Sequence, residues 1–282
     1  MKKIVLLLCV FSFTFSLNAQ IKIPQPSLYS KIDQKVGLTD VTLEYSRPNM
    51  RGRTIFGDLV PYGKLWRLGA NANTKITFSD DVKIDDNLLK AGSYAIYATP
   101  NEESWDVVFY SDASNWGIPQ NWEDSKVAAK VTAKVYEMPV DIESFTITFD
   151  NLASNSAVIG MLWEKVYVGV KFEVPTDDKV SKAIDKMLNS SPSADDYYSA
   201  AVYYSREEKD LKKASEWMEK AMAMTKEPRF WQLRQQSLIY AKIGDREKAI
   251  ETAKKSLEGA KKSKNEDYIK MNIDSLKEWG AL

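Results

Sequence analysis

The chain has 282 residues, in which 39 lysines and arginines balance 39 aspartates and glutamates; it has no histidine and one cysteine, Cys9. This near-neutral charge gives no reason to expect nucleic acid as a partner, because nucleic-acid-binding proteins present clustered basic surfaces. The lack of histidine excludes Ser-His-Asp triads, histidine general bases and histidine-based zinc sites. Composition still allows a hard cation held by oxygen ligands, but no such motif is present, so we predict no metal and no cofactor.

The N-terminus is predicted to be a signal peptide over residues 1–19. Lys2 and Lys3 precede an apolar run over residues 4–15, which is shorter than the ~20 residues that cross a bilayer. Cleavage after Ala19 would also remove Cys9, leaving 37 basic against 39 acidic residues, so neither a lipid anchor nor a disulfide is expected. The predicted location is periplasmic or extracellular, with no transmembrane helix after removal of the signal; the alternative is an N-terminal membrane anchor.

Composition changes near residue 175. Residues 20–175 are rich in β-branched and aromatic side chains, whereas residues 176–282 are rich in Ala, Lys, Glu, Met and Leu. The first group favours strands and the second favours helices. We therefore predict a β domain over 20–175 and an α-helical domain over 176–282.

The β domain shows short runs in which apolar and polar residues alternate, separated by turn residues. The runs cover residues 41–45, 74–78, 94–97, 105–110, 130–136, 145–149, 157–163 and 166–174. This pattern, without alternating helices, predicts an antiparallel β-sandwich or jelly roll. The last two runs are predicted to form a closing hairpin that turns near Glu164 and Lys165.

The helical domain shows internal self-similarity. Tyr204 and Tyr240 lie 36 residues apart, and Ala214 and Ala249 lie 35 apart, close to the ~34-residue period of helical hairpin repeats. This resembles the tetratricopeptide repeat (TPR). It predicts a leading helix near 177–188, two imperfect repeats over 195–263 and a capping helix near 265–279, with Asp245 as an N-cap.

The most distinctive segment spans residues 45–71. It contains the only four arginines among the first 175 residues: Arg47, Arg51, Arg53 and Arg67. The planar guanidinium group of arginine, called the fork below, holds carboxylates, phosphates or aromatic faces in a fixed geometry that lysine does not reproduce. One interpretation is an internal brace, in which the forks pair with loop carbonyls and with acids such as Glu44, Asp58 or Asp40.

The other interpretation is a pocket in which arginines hold an anionic group, with aromatic walls and an amide contact. The predicted ligand-binding residues are Arg47, Arg51, Arg53, Tyr62, Trp66, Arg67 and Asn71. A brace leaves no fork exposed, whereas a pocket leaves at least two forks facing a cavity.

Two tryptophans, Trp116 and Trp122, lie in a loop over residues 111–126. Exposed tryptophans on such a loop can stack on sugar rings, which present apolar faces. The alternative is that Trp116 fills one end of the sandwich as a core residue, and this is the interpretation we favour.

Several long motifs support a family resemblance. They are Tyr45-Ser46-Arg47-Pro48, Arg51-Gly52-Arg53, Ile55-Phe56-Gly57, Leu59-Val60-Pro61-Tyr62-Gly63, Trp66-Arg67, Gly69-Ala70-Asn71, Leu89-x-Ala91-Gly92-x-Tyr94, Trp105 and Asn115-Trp116-Gly117. Across roughly residues 24–174, the chain resembles an exported bacterial family of unknown function, DUF2911. The resemblance implies a fold and an exported location but no activity. The helical part extends beyond the short form of that family.

The function we favour from the sequence is a non-catalytic binding or scaffold protein of the bacterial envelope. Its helical repeats would bind a protein or peptide, as concave repeat surfaces typically do. The alternative is an enzyme or small-ligand receptor that holds an anionic or carbohydrate ligand on residues 45–71. No catalytic residue is predicted.

Overall fold

The computed structural model describes residues 23–282. The chain divides into two compact units, of which the first ends at Thr176 and the second covers Asp177–Leu282. The signal peptide predicted over residues 1–19 lies outside the described residues.

The first unit is one antiparallel sheet of nine strands. Along the sheet the strand order is β1-β2-β3-β6-β7-β8-β9-β4-β5. The strands are β1 (Leu28–Val36), β2 (Thr39–Arg47), β3 (Thr74–Phe78), β4 (Val82–Ile84), β5 (Asn87–Leu89), β6 (Gly92–Pro100), β7 (Ser104–Tyr110), β8 (Val127–Asp150) and β9 (Ser156–Glu173), with a short 3₁₀ helix at Asp124–Lys126 before β8. The antiparallel β region predicted from alternation is therefore confirmed.

The sheet folds back on itself along β8. The first part of β8 pairs with β7 and the second part pairs with β9, with irregular register between Glu137 and Ile142. The hydroxyl of Tyr45 on β2 accepts a hydrogen bond from the Ile147 amide at 3.0 Å, and the Tyr45 ring meets Phe145 edge-on at 5.9 Å. These contacts bring β2 against the far part of β8 and enclose the core between them. The largest fully buried side chains are Trp105, Trp163, Tyr97, Tyr110, Phe78, Phe109, Phe145 and Phe172.

The predicted hairpin at Glu164 and Lys165 is wrong, because β9 runs without a break from Ser156 to Glu173. Glu164 is a kink within the strand, with a left-handed φ of 54°. Its carboxylate accepts hydrogen bonds from the amides of Ile55 and Phe56 in the loop after β2. Glu164 therefore makes a contact to another part of the unit, and the hairpin turns between Asp150 and Ser156.

The second unit consists of helices. They are α1 (Thr176–Leu188), α2 (Ala194–Arg206), α3 (Leu211–Met224), α4 (Phe230–Lys242), α5 (Arg246–Lys262) and α6 (Glu266–Glu278). Short polar residues begin several of them, and the predicted cap at Asp245 is confirmed by its carboxylate, which accepts from the Lys248 amide at 3.2 Å. The small residues Ala214 and Ala249 are fully buried, which lets neighbouring helices approach closely. Among residues 23–282, no helix has the length and apolar character needed to cross a membrane.

Candidate functional site

The arginine segment continues from β2 as a long structured loop that reaches β3. Trp66 fastens its middle to the sheet, since its amide donates to the Ala98 carbonyl at 2.7 Å and its carbonyl accepts from the Ala98 amide at 3.0 Å. Nearer the start, Phe145 donates its amide to the Pro48 carbonyl at 2.8 Å. A long loop without regular structure is uncommon unless it is functional or packed by its own side chains. This loop is packed by its own side chains, and between β2 and β3 it contains no helix.

Beneath the loop lies a cluster of aromatic rings. Trp66 stacks on Trp163 with centroids 5.9 Å apart and planes inclined by 18°. The Trp66 ring also meets Trp105 and Phe145 edge-on, at 5.9 and 5.2 Å. Offset-stacked and edge-to-face pairs of this kind add about 0.5–1.5 kcal/mol each beyond the burial of their area. The cluster therefore gives the loop a rigid apolar base.

A cavity of about 460 Å³ opens above this base. Its lining residues are Pro26, Ser27, Pro48, Asn49, Arg51, Arg53, Leu59, Val60, Trp66, Arg67, Gly69, Ala70, Asn71 and Trp163. Within the described part of the chain, three arginines line this cavity and no aspartate or glutamate does. The apolar side is formed by the two indoles with Leu59 and Val60.

Two of the cavity arginines are held by backbone carbonyls. The Arg53 guanidinium donates from Nε to the Met50 carbonyl at 2.8 Å and from Nη2 to the Asn49 carbonyl at 2.7 Å. Arg51 donates from Nη2 to the Pro26 carbonyl at 3.2 Å. Each guanidinium carries five N–H donors, so these bonds orient the forks and leave further donors for a ligand.

Arg67 is placed by the loop between β7 and β8. Its Nη1 donates to the Asn71 carbonyl at 2.9 Å. Its guanidinium also lies against Gly117, where a Cβ would be only 3.0 Å from Nη1. The Gly117 carbonyl accepts from the buried Tyr97 hydroxyl at 3.1 Å, and Asn73 donates to the same hydroxyl at 3.0 Å. Burial raises the pKa of Tyr97, so this hydroxyl stays protonated and able to donate.

None of the acids predicted as partners of the arginines forms an ion pair with them in the described residues, so this part of the brace interpretation is wrong. Glu44 pairs with Lys75 at 2.6 Å, and this contact, with a tyrosine hydroxyl, lowers the pKa of the Glu44 carboxyl. Asp40 pairs with a lysine of β1 at 2.6 Å. In residues 23–282, no ion pair joins Asp58 or any other acid to the four arginines. The guanidinium charges at the cavity are therefore not neutralised by carboxylates.

The backbone of the segment is held in an unusual conformation. Arg51, Leu68 and Asn71 have left-handed φ angles of 52°, 54° and 58°. Asparagine tolerates this region, whereas arginine and leucine lose about 1–2 kcal/mol in it. The Asn71 amide group donates to Ser46 Oγ at 3.2 Å and to the Ser27 carbonyl at 3.1 Å. Such residues persist only where the surroundings fix them, and they often cluster at binding sites.

The structure brings most of the predicted site residues together. Arg51, Arg53, Trp66, Arg67 and Asn71 all line the cavity. The same cavity is also lined by Pro26, Ser27, Asn49 and Trp163, which no local sequence pattern indicates, because they lie outside the motifs or on a distant strand.

Two predicted residues lie elsewhere. Arg47 is a brace, because its fork donates to the Phe145 carbonyl at 3.0 Å and to Thr146 Oγ1 at 2.6 Å. Tyr62 is not a wall of the cavity. The left-handed turn at Gly57 places the Tyr62 ring against that glycine, where a Cβ would be 2.9 Å away.

The two loop tryptophans have different environments. Trp122 stacks on Tyr110 with centroids 4.5 Å apart, meets Tyr97 edge-on, and donates from Nε1 to Asp124 at 3.0 Å. Trp122 is therefore a packing residue with its faces occupied. Trp116 is 73% exposed, so the prediction that it fills one end of the fold is wrong, because Trp122 occupies a core position instead.

No metal-binding cluster of three or more Asp, Glu, His or Cys residues occurs in the described ranges. Because no carboxylate lines the cavity, an ion bound there would meet cationic and neutral groups. The arrangement suits an anion and does not suit a metal cation.

These observations define a class of protein. Its β unit contains a basic cavity with an aromatic base, and a helical unit follows in the chain. The family model described as "Protein of unknown function (DUF2911)" matches residues 27–172. This match covers more than half of the chain, and the chain belongs to this family. The matched span contains every cavity-lining residue except Pro26. No curated protein matches the chain, and no solved structure does.

Proposed function

We propose that this protein is an exported, non-catalytic receptor whose β unit binds a small anion. The observation behind this proposal is the cavity of about 460 Å³ lined by Arg51, Arg53 and Arg67 and by no acid. Three like charges brought to one concave surface repel one another, and a bound anion relieves this repulsion. The bacterial envelope as the site of action is part of the same proposal, supported by the signal-like N-terminus.

The arginine forks favour particular anions. Guanidinium groups bind carboxylates and phosphates through paired, charge-assisted hydrogen bonds. The carbonyls that receive Arg51 and Arg53 fix the forks before any ligand arrives, which lowers the entropic cost of binding. General acid–base chemistry would need an acid–base side chain such as a carboxylate at the ligand, and within the described residues no aspartate or glutamate lines this cavity. A receptor is therefore better supported than an enzyme.

Calorimetric titration of the exported form, with residues 1–19 removed, tests the proposal. Inorganic phosphate, acetate and citrate serve as probes of the cavity. We expect at least one of these anions to bind, and we expect Arg67→Lys to weaken that binding about tenfold or more while leaving the unfolding midpoint nearly unchanged.

Arg206→Lys provides the matched control, because Arg206 is an exposed arginine on α2 that lies outside the cavity. This variant should bind like wild type. If no anion binds, or if Arg67→Lys unfolds the protein, the arginines are a brace and the receptor proposal fails.

We also propose finer descriptions of the two units. The β unit is a β-sandwich of the jelly-roll kind, supported by the contacts that join β2 to the far part of β8 across the core. The second unit is a short TPR-like array in which α2 with α3 and α4 with α5 form the two hairpins. The equivalent placement of buried Ala214 and Ala249 supports the repeat.

A second candidate function follows from the helical unit. A groove of about 610 Å³ runs along α2, α4 and α6, with Leu238 and Trp279 beside Arg206, Lys242 and Glu278. This mixture of apolar and charged side chains suits a peptide, which brings both kinds of group. The inner surface of helical arrays generally serves this purpose.

Site-specific photo-crosslinking in the cell of origin tests the groove. A photoreactive residue at Leu238 should capture a defined protein partner, whereas the same residue at Lys254, on the exposed surface of α5, should not. Equal capture at both positions, or none at Leu238, would remove the peptide-binding candidate.

A further inference from the structure

The loop between β7 and β8, which contacts the cavity residue Arg67 through Gly117, leaves one indole in solvent. Trp116 is 73% exposed, compared with 40% for Trp231 on the helical unit, and its neighbour Ile118 is 43% exposed. Single exposed aliphatic residues are ordinary on protein surfaces. A tryptophan exposed to this extent is different, because indole has the largest apolar surface of any side chain.

Trp116 is attached to a fixed point of the cavity. The next residue, Gly117, lies against the Arg67 guanidinium, whose Nη1, Cζ and Nε lie 3.0, 3.2 and 3.6 Å from the position of a Cβ. The Gly117 carbonyl also accepts a hydrogen bond from the hydroxyl of the fully buried Tyr97 at 3.1 Å. Neighbouring Cα atoms are about 3.8 Å apart, so Trp116 stands one residue from a fork that lines the cavity.

The same loop contains a tryptophan that is well packed. Trp122 stacks on Tyr110, the last residue of β7. The loop therefore supplies its own packing aromatic and does not need Trp116 for that purpose. Its second indole is exposed and stands next to Gly117, which contacts the Arg67 guanidinium and the Tyr97 hydroxyl.

Two kinds of recognition chemistry are thus linked through one loop residue, Gly117. The forks of Arg51, Arg53 and Arg67 recognise a negative group. The indole of Trp116 offers a flat apolar face of the kind on which the C–H face of a sugar ring packs. A cyclic sugar acid carries both complementary groups, a carboxylate and an adjoining ring, within one small molecule.

We propose that the ligand is a cyclic sugar acid, either a free uronic acid or a uronic acid residue of a glycan. Its carboxylate lies among the arginine forks, and its ring, or the next ring of the glycan, packs on Trp116. This inference rests on the proposed anion receptor and adds to it a ligand class and a specificity-determining residue. A ringless anion uses the forks alone and does not depend on Trp116.

Titrations of three proteins against four probes test this assignment. The proteins are wild type, Trp116→Ala and Trp116→Phe, and the probes are inorganic phosphate, acetate, glucuronate and trigalacturonate. We expect Trp116→Ala to weaken binding of at least one sugar acid about fivefold to tenfold. Binding of phosphate and acetate should change less than about twofold, and Trp116→Phe should recover much of the loss because it restores an aromatic face.

Trp231→Ala is the matched control, since it removes an exposed indole from the helical unit and should leave all affinities unchanged. If phosphate or acetate binds wild type but Trp116→Ala binds sugar acids as wild type does, the sugar-acid inference is overturned and the anion receptor stands. If none of the four probes binds wild type, the receptor proposal fails and the inference fails with it.

Discussion

Replacing Arg51 by glycine separates the brace and pocket interpretations of the arginine segment. Arg51 has a left-handed φ of 52°, a conformation that glycine adopts without the side-chain clash. The backbone amide of residue 51 donates to Glu143 Oε1 at 3.0 Å, and glycine keeps that bond. The variant therefore removes the fork and preserves the backbone that holds the loop.

The expected change in stability is small because opposing terms nearly cancel. Relief of the left-handed strain contributes about 1–2 kcal/mol. Against this, glycine loses roughly 0.5–1 kcal/mol more conformational entropy on folding, and the exposed bond to the Pro26 carbonyl is worth about 0.5–1.5 kcal/mol. The net change lies between a gain of about 1 and a loss of about 1.5 kcal/mol, which corresponds to a shift of the unfolding midpoint of at most about 6 °C.

The expected change in anion affinity is much larger. A hydrogen bond to a charged group contributes about 1.5–3 kcal/mol, so Arg51→Gly should weaken anion binding roughly 10- to 100-fold. Differential scanning calorimetry measures the first quantity and isothermal titration the second. A fall in the midpoint well beyond about 6 °C with unchanged anion affinity would refute the reasoning, because Arg51 would then be a brace.

Three further predictions concern glycines and a carboxyl group. Gly37→Ala should destabilise the β unit by more than about 2 kcal/mol, because φ is +54° and a Cβ would lie 1.9 Å from the hydroxyl of the first residue of α1; thermal unfolding measures this. Gly117→Ala should displace Arg67, whose Nη1 is 3.0 Å from the Cβ position, and so weaken anion binding in titrations. The Lys209 ammonium, together with a tyrosine hydroxyl, holds the pKa of Asp177 below 3.8. Because the pKa is lower in the folded state, the Asp177 carboxylate contributes fully to helical stability above pH 3.8. This contribution is lost as the pH falls through the pKa of the folded state. Far-UV circular dichroism of Asp177→Asn should show a flatter acid dependence.

Matched variants make these predictions refutable. Gly52 has φ +71° but no atom within 4 Å of a Cβ, so Gly52→Ala should cost much less than Gly37→Ala, and equal losses would contradict the clash argument. Gly63, with φ +69° and its nearest atom 4.0 Å away, is the control for Gly117. Unchanged anion affinity in Gly117→Ala would show that Arg67 does not depend on the loop. An acid dependence of Asp177→Asn equal to that of wild type would remove the third prediction.

The alternation of apolar and polar residues identified those strands that bury only one face. Thr74–Phe78 was predicted with the bounds it has, since its apolar residues alternate inward and turn residues follow it. β1 (Leu28–Val36) gave no such signal, because it is an edge strand that is mostly exposed and carries charges along its length. The strand pair at the end of the β unit was divided wrongly at Glu164, because a charged residue within a strand looks like a turn until its tertiary partner is known.

The candidate site was predictable only where it lies in one segment. Within the first 175 residues, arginine occurs only in residues 45–71, which is an unusual distribution, and three of these four arginines line the cavity. The direction of each side chain depends on the loop backbone, and for this reason Tyr62 and Arg47 point elsewhere. Trp163 joins the site from a strand about 100 residues further along the chain, and no local pattern in the sequence predicts that contact.

The stacked indoles of Trp66 and Trp163 can serve as an intrinsic fluorescent probe of the cavity. A charged ligand bound above them alters the electric field at their excited states, so emission from the cavity base should change when the forks are occupied. Trp116 is far more exposed than either of them, so its emission is expected at longer wavelength. Comparison of wild type with Trp116→Phe can therefore distinguish filling of the arginine cavity from contact at Trp116.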